Sequence, residues 1–293
     1  MNYQHPILHQ LQPLISKGIL PENILLAGSE GVGVFEIAQQ VAAEILGVAI
    51  AQLATHSDYK VAYHEDNAKY VPHTLEEIHD IISFVHSSRL SSNRVIIIPD
   101  ADLFTLSVAN SLLKTLEEPH EHTYFILLAR NATSVLPTIL SRVTLWHVNP
   151  VSNEMVQEVC VSFAKKDFFA DVITLAMGRP FLALELCENN KLRKSYFEDK
   201  TLFISLLSAP DYERIGVAEK IAVKGDHEEK KRLLRERLER FQLFALQEME
   251  RDVARASEFA QWIDECGKHM TALLHHGNVR AHVDVLLLAL PHL

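Results

Sequence analysis

The sequence predicts a three-layer α/β domain built on a parallel sheet, followed by a wholly helical second half. Three observations carry this: short continuous apolar runs of the kind buried on both faces of a parallel sheet, helical spacing between them, and the disappearance of strand signals after Pro150.

The first run, Ile24 to Gly28 (ILLAG), ends in glycine, and behind it Val34, Ile37, Ala38, Val41, Ala42 and Ile45 recur at the spacing of one helical face. This predicts strand, glycine loop, helix. VIIIPDAD (Val95 to Asp102) repeats the style, TYFILLA (Thr123 to Ala129) is a third strand, and VTLWHV (Val143 to Val148) is a weaker fourth. Between the second and third, SVANSLLKTLEEP places Val108, Leu112 and Leu116 on one face of a helix that Pro119 stops. Alternating strands and helices extend the α/β domain over residues 1–150. Beyond it, helical segments suggest a small unit at 151–198 and an all-helical unit at 199–293. In the latter, Leu234, Leu238, Phe241 and Ala245 form an apolar stripe, and Val283, Leu286, Leu287 and Leu290 mark a last helix.

With 293 residues, 48% hydrophobic and 23% charged, the chain can bury a core without staples. The net charge of -10 argues against a protein that coats nucleic acid by itself, since phosphate affinity comes from clustered Lys and Arg. Cys160, Cys187 and Cys266 are odd in number and far apart, so reduced thiols are expected and no disulfide framework. No basic leader precedes an apolar run and no stretch approaches ~18 apolar residues, so a cytoplasmic protein with no membrane partner is expected.

GSEGVGVF, Gly28 to Phe35, stands between strand and helix, where a phosphate-binding Walker A loop belongs. In an active loop a lysine after the last glycine reaches the β and γ phosphates and the next Ser or Thr ligates Mg²⁺. Here Val34 and Phe35 occupy those places, although Gly28, Gly31 and Gly33 remain. In VIIIPDAD, Pro99 replaces the Mg²⁺-linked aspartate and Asp100 the activating glutamate. Neither nucleotide turnover nor a bound Mg²⁺ is therefore expected, and the loop alone could equally be an ordinary glycine turn.

Asn110-Ser111-Leu112-Leu113-Lys114-Thr115-Leu116-Glu117-Glu118-Pro119 and Leu136-Pro137-Thr138-Ile139-Leu140-Ser141-Arg142-Val143 closely resemble two hallmark segments of bacterial clamp-loader subunits of the AAA+ class. The likeness extends to His56-Ser57-Asp58 and to ILPENILLAGSEGVG, covering most of residues 1–150. Within that family, the DNA polymerase III delta-prime branch has a degraded nucleotide site, whereas the gamma/tau branch keeps it. The resemblance implies a P-loop (AAA+) domain, a helical lid and a C-terminal collar, with gamma/tau and delta as partners and contact with the sliding clamp and primed DNA only indirectly. It also implies that Ser141 and Arg142 form an arginine-finger motif acting in trans on a neighbour's γ-phosphate. Without a neighbour, Arg142 would read as a surface residue paired with an acid.

Three departures accompany the resemblance. Val143 stands where the family has cysteine. No cysteine precedes Cys160, so the family's zinc module is not expected. In AMGRPFLALEL the nucleotide-sensing arginine of the lid falls on Leu182, while Arg179 stands too early for that role. Cys266, His269, His275 and His276 are a tight cluster without standard zinc spacing, so no metal is expected there. Lys114 could meet DNA phosphates, though beside Glu117 and Glu118 it reads more readily as solvated. The competing readings are an active gamma/tau-like ATPase and a stand-alone interaction protein with the same fold.

Overall fold

The computed structural model describes residues 4–62, 73–118, 120–221, 227–275 and 279–292. Pro119 and His276 lie outside them, and the side chain of His275 is likewise not described. The chain folds as two compact units, Met1–Glu188 and Asn189–Leu293.

In the first unit, α1 (Leu8–Ser16) precedes β1 (Asn23–Ala27), the glycine loop and α2 (Val34–Leu46). Then come β2 (Tyr59–Val61), α3 (Leu75–His86), β3 (Arg94–Ile98), α4 (Leu106–Glu117), β4 (Thr123–Ala129), α5 (Pro137–Leu140) and β5 (Thr144–His147). Three short helices, α6 (Asn153–Val159), α7 (Phe169–Ala176) and α8 (Pro180–Glu188), complete the unit.

All strand pairs are parallel, in the order β2-β3-β4-β1-β5. Side-chain alternation sorts the central strands onto two cores. Ile24, Leu26, Val95, Ile97, Ile126 and Leu128 pack with α1 and α2 on one face. Leu25, Ala27, Ile96, Ile98, Phe125, Leu127 and Ala129 pack with α3, α4 and α5 on the other. With both faces covered, β1, β3 and β4 read in the sequence as unbroken apolar runs. β2, three residues long and half-buried, carries no such run.

Beneath the sheet's amino edge, Arg94 and Asp58 form an ion pair of 2.8 Å with side chains 2% and 1% exposed. Arg94 also donates to the carbonyls of Phe84, Val85, Ser87 and Ser88, while Asp58 accepts from the amides of Leu90 and Ser91. Burial pushes the Asp58 carboxyl up, but these hydrogen bonds outweigh it and hold the group below its ordinary value.

The second unit contains α9 (Asn190–Leu207), α10 (Asp211–Ile221), α11 (His227–Arg251), α12 (Ala256–His275) and α13 (Val279–Leu288). Residues 198 and 199, where the sequence suggests a boundary, both lie inside α9. Phe203, Phe241, Phe244 and Trp262 form an aromatic centre, and the Trp262 indole donates to Leu286 O at 2.7 Å. The fully buried Arg214 donates to the carbonyls of Leu207 and Ala209 at the end of α9 and of Leu287, Leu290 and Pro291 at and beyond the end of α13. One guanidinium thus serves the orphan carbonyls of two helix ends.

Two stability outcomes follow from these buried cations. Asp58→Ala leaves the Arg94 charge uncompensated and should cost ~3–5 kcal/mol in urea unfolding of the first unit. Arg214→Met strands several helix-end carbonyls and should lower the stability of the second by about 3 kcal/mol or more.

Candidate functional site

Because β4 lies between β1 and β3, the residues that follow these three strands share the carboxyl edge of the sheet. Along it stand the glycine loop, Arg130, and Pro99 with Asp100, the place where open α/β sheets hold ligands. This edge is closed by the protein's own groups.

The loop takes the left-handed turns that its glycines permit. Gly31 and Gly33 have φ of 83° and 95°, and Gly33 is the residue from which α2 starts. Yet Val34 and Phe35, at the positions for the cation and the metal ligand, pack against the apolar core. The lid segment fills the space beside the glycines. Phe181 N and Leu182 N donate to Gly31 O at 3.0 and 3.3 Å, so a loop carbonyl serves two amides at the start of α8. A Cβ on Gly31 would lie 2.5 Å from the Leu182 Cβ, and one on Gly33 would lie 2.3 Å from the Phe181 ring. The glycines are required here for the close approach of the lid, whatever their history with phosphate.

Leu182, where the family's sensing arginine would stand, therefore packs on the loop. Arg179 is the lid arginine that reaches it, donating through Nε to Ser29 Oγ at 3.1 Å while 7% exposed. Sequence spacing had set Arg179 aside. The signal that could have found it was chemical, a lone cation in an apolar segment.

On the neighbouring strand, β3 ends at Ile98, and Asp100 takes a left-handed conformation with φ 52°. Its carboxylate pairs with Arg130 at 2.7 Å, and Asp102 lies 3.8 Å from the same guanidinium. Burial pushes the Asp102 carboxyl up, against the pull of Arg130. Where an active site would use a metal ion, these acids face an internal cation that the sequence analysis did not single out. The Pro99 carbonyl accepts from His73 Nε2 at 2.9 Å.

Arg142 stands at the opposite edge. It follows α5 and precedes β5, whose Thr144 is paired with Ile24 at the start of β1. Asn23 to Gly28 spans roughly 16 Å of strand at ~3.3 Å per residue, so Arg142 lies far from the chain's own loop. Asn23 Nδ2 donates to Leu116 O at 2.7 Å and to Arg142 O at 3.2 Å, tying the backbone of this turn to the end of α4. The Arg142 side chain, 28% exposed, pairs with Glu117. Ser141 stands beside it and accepts from the guanidinium NH1 at 2.9 Å.

Among the described residues no group of three or more His, Cys, Asp or Glu side chains could hold a metal. In the cluster named from the sequence, Cys266 is buried, its thiol pushed well up by burial, and His269 Nδ1 lies 2.6 Å from His282 Nδ1 on α13. All three thiols are buried and in no disulfide; burial, with Cys187 nearby, pushes Cys160 up to about 12. Lys114 is exposed on α4. No described helix is long and apolar enough to cross a membrane.

Residues 3–152 match the family model described as DNA polymerase III, delta subunit. The chain is 30% identical over 218 residues to the DNA polymerase III subunit delta' of Haemophilus influenzae, covering 68% of this chain and 63% of that protein. It is 29% identical over 150 residues to the Escherichia coli subunit delta', covering 49% and 43%. This chain belongs to the delta-prime family of DNA polymerase III clamp-loader subunits. Its fold is accordingly an AAA+ α/β domain with a helical carboxyl half, although it spans less than two thirds of the length of these curated delta-prime relatives. A solved DNA polymerase III gamma subunit-related protein of Thermotoga maritima is also similar, at 20% identity over 96% of this chain and 97% of that one, with a TM-score of 0.49.

The lid contact yields one stability outcome for this delta-prime family member. Gly33→Ala should cost about 2 kcal/mol in chemical unfolding, from its positive φ and the Phe181 ring together. Combined with Phe181→Ala the loss should be smaller than the sum of the two single losses.

Proposed function

We propose that the chain is a non-hydrolysing delta-prime subunit of the clamp loader, lending Arg142 to an ATPase subunit bound beside it. The carrying observation is position: Arg142 is at one edge of the sheet and the chain's own degraded loop at the other. A guanidinium there serves a nucleotide only if a second subunit brings one.

The carboxyl edge supports the other half of the reading. Val34 and Phe35 offer neither charge nor metal ligand, and Phe181 and Leu182 lie against the loop glycines. A nucleotide would have to displace these groups without the lysine and Mg²⁺ that supply most of the phosphate stabilisation. The active gamma/tau-like alternative needs those groups. The stand-alone alternative leaves Arg142 without a substrate.

In this reading the partners are gamma/tau and delta subunits. Sliding clamp and primed DNA are met through the assembly, in the cytoplasm at the nucleoid-associated replisome. The role is that of a stator: fixed surfaces orient the moving subunits, while Arg142 stabilises charge developing on the phosphoryl group next door. Ser141 supports the guanidinium through its hydroxyl.

Two measurements test this. Arg142→Ala in a reconstituted loader should depress the DNA-stimulated ATPase of the neighbouring subunit by up to ~10³–10⁵ without loss of assembly. Unchanged turnover overturns the finger assignment. The isolated chain should show no Mg²⁺-dependent binding of a non-hydrolysable ATP analogue in equilibrium dialysis, and tight binding would favour the active-ATPase reading.

A further inference from the structure

The Arg142 guanidinium is already committed within this chain. Its Nε and NH2 both donate to Glu117 Oε1, the first at 2.9 Å. NH1 donates to Thr138 O at 2.8 Å and to Ser141 Oγ at 2.9 Å. An arginine has five N–H donors, and the edge formed by Nε and NH2 is the fork that grips carboxylate or phosphate oxygens side by side. Glu117 occupies that fork.

Glu117 is the last residue of α4, where the helix dipole disfavours a carboxylate. The guanidinium compensates it there. Asn23 holds the two backbones together, so the pair meets without a long-range rearrangement. The carboxylate is 49% exposed, which keeps the ion pair weak enough to be broken by a competing anion.

Resting on the trans role of Arg142, we propose that Glu117 is a positioning residue that parks the finger. Its carboxylate competes with the neighbour's transferring phosphoryl group for the Nε/NH2 fork. NH1, held by Thr138 O and Ser141 Oγ, is the pivot about which the freed fork turns. Parking keeps an exposed cation from gripping other anions before the partner site is filled, and it subtracts from the finger's strength once that site is filled.

The test uses the assembled loader. With Glu117→Gln, turnover of the neighbouring ATPase at saturating ATP should rise about two- to fivefold, the range that an exposed ion pair supports, with KM for ATP little changed. In the Arg142→Ala background, Glu117→Gln should have no effect, because it acts only through the guanidinium; a general structural role of Glu117 would change turnover in both backgrounds. If Arg142→Ala depresses turnover but Glu117→Gln leaves it level or lowers it, parking is overturned and the finger stands. If Arg142→Ala changes nothing, the finger and the parking role are overturned together.

Discussion

Burial of β1, β3 and β4 on both faces is the constraint on which the other features depend. Strands covered on two sides cannot slip by one residue without moving a whole row of apolar side chains from one core to the other. Their parallel direction then gives the sheet two unlike edges. At the carboxyl edge the chain leaves the strands into loops of the ligand-binding type; at the amino edge it enters them from turns such as the one carrying Arg142. The separation of a closed loop from a partly exposed arginine is thus a property of the topology, and no adjustment of side chains within one subunit would bring them together.

At the carboxyl edge, the protein's own groups pack against the glycine loop and its neighbours. The Gly31 carbonyl caps α8, Phe181 and Leu182 lie on the glycines, and Arg130 sits against Asp100 and Asp102. Each contact is modest in energy. A ligand at this edge would gain only what it offers beyond them. In the proposed reading, the missing lysine withholds affinity for phosphate and the Phe181 and Leu182 contact adds a competitor.

Legibility in the sequence followed the strength of the local pattern. The runs at Ile24, Val95 and Thr123 are readable as buried strands because both faces are apolar, whereas β2 has only three residues, two of them half-buried, and α1 contains Pro13, so neither announces itself. Val34, Phe35 and Pro99 stand out in the sequence because the chemistry of phosphate transfer prescribes other residues at those places. Arg130 and Arg179 do not, because their significance arises only when the sheet order and the lid contact bring them to acids and a hydroxyl distant in sequence. The aligned position of a lid arginine identified Leu182; the fold uses the arginine three residues earlier.

At the amino edge, the sequence singles out Arg142 but not its partner Glu117. A motif names Arg142 but says nothing of the acid across from it, since Glu117 and Arg142 belong to different segments and meet only because Asn23 ties the end of α4 to the turn before β5. This geometry commits the Arg142 guanidinium to Glu117 within the chain. A guanidinium with its fork filled by a carboxylate is quiet toward solvent anions, and a phosphoryl group in a water-poor interface interacts with it more strongly than an exposed carboxylate does. In the proposed trans role, the exposure of Glu117 and the enclosure of a subunit interface would act in the same direction: Arg142 would rest on its own chain when alone and favour a neighbour's nucleotide once an interface is assembled.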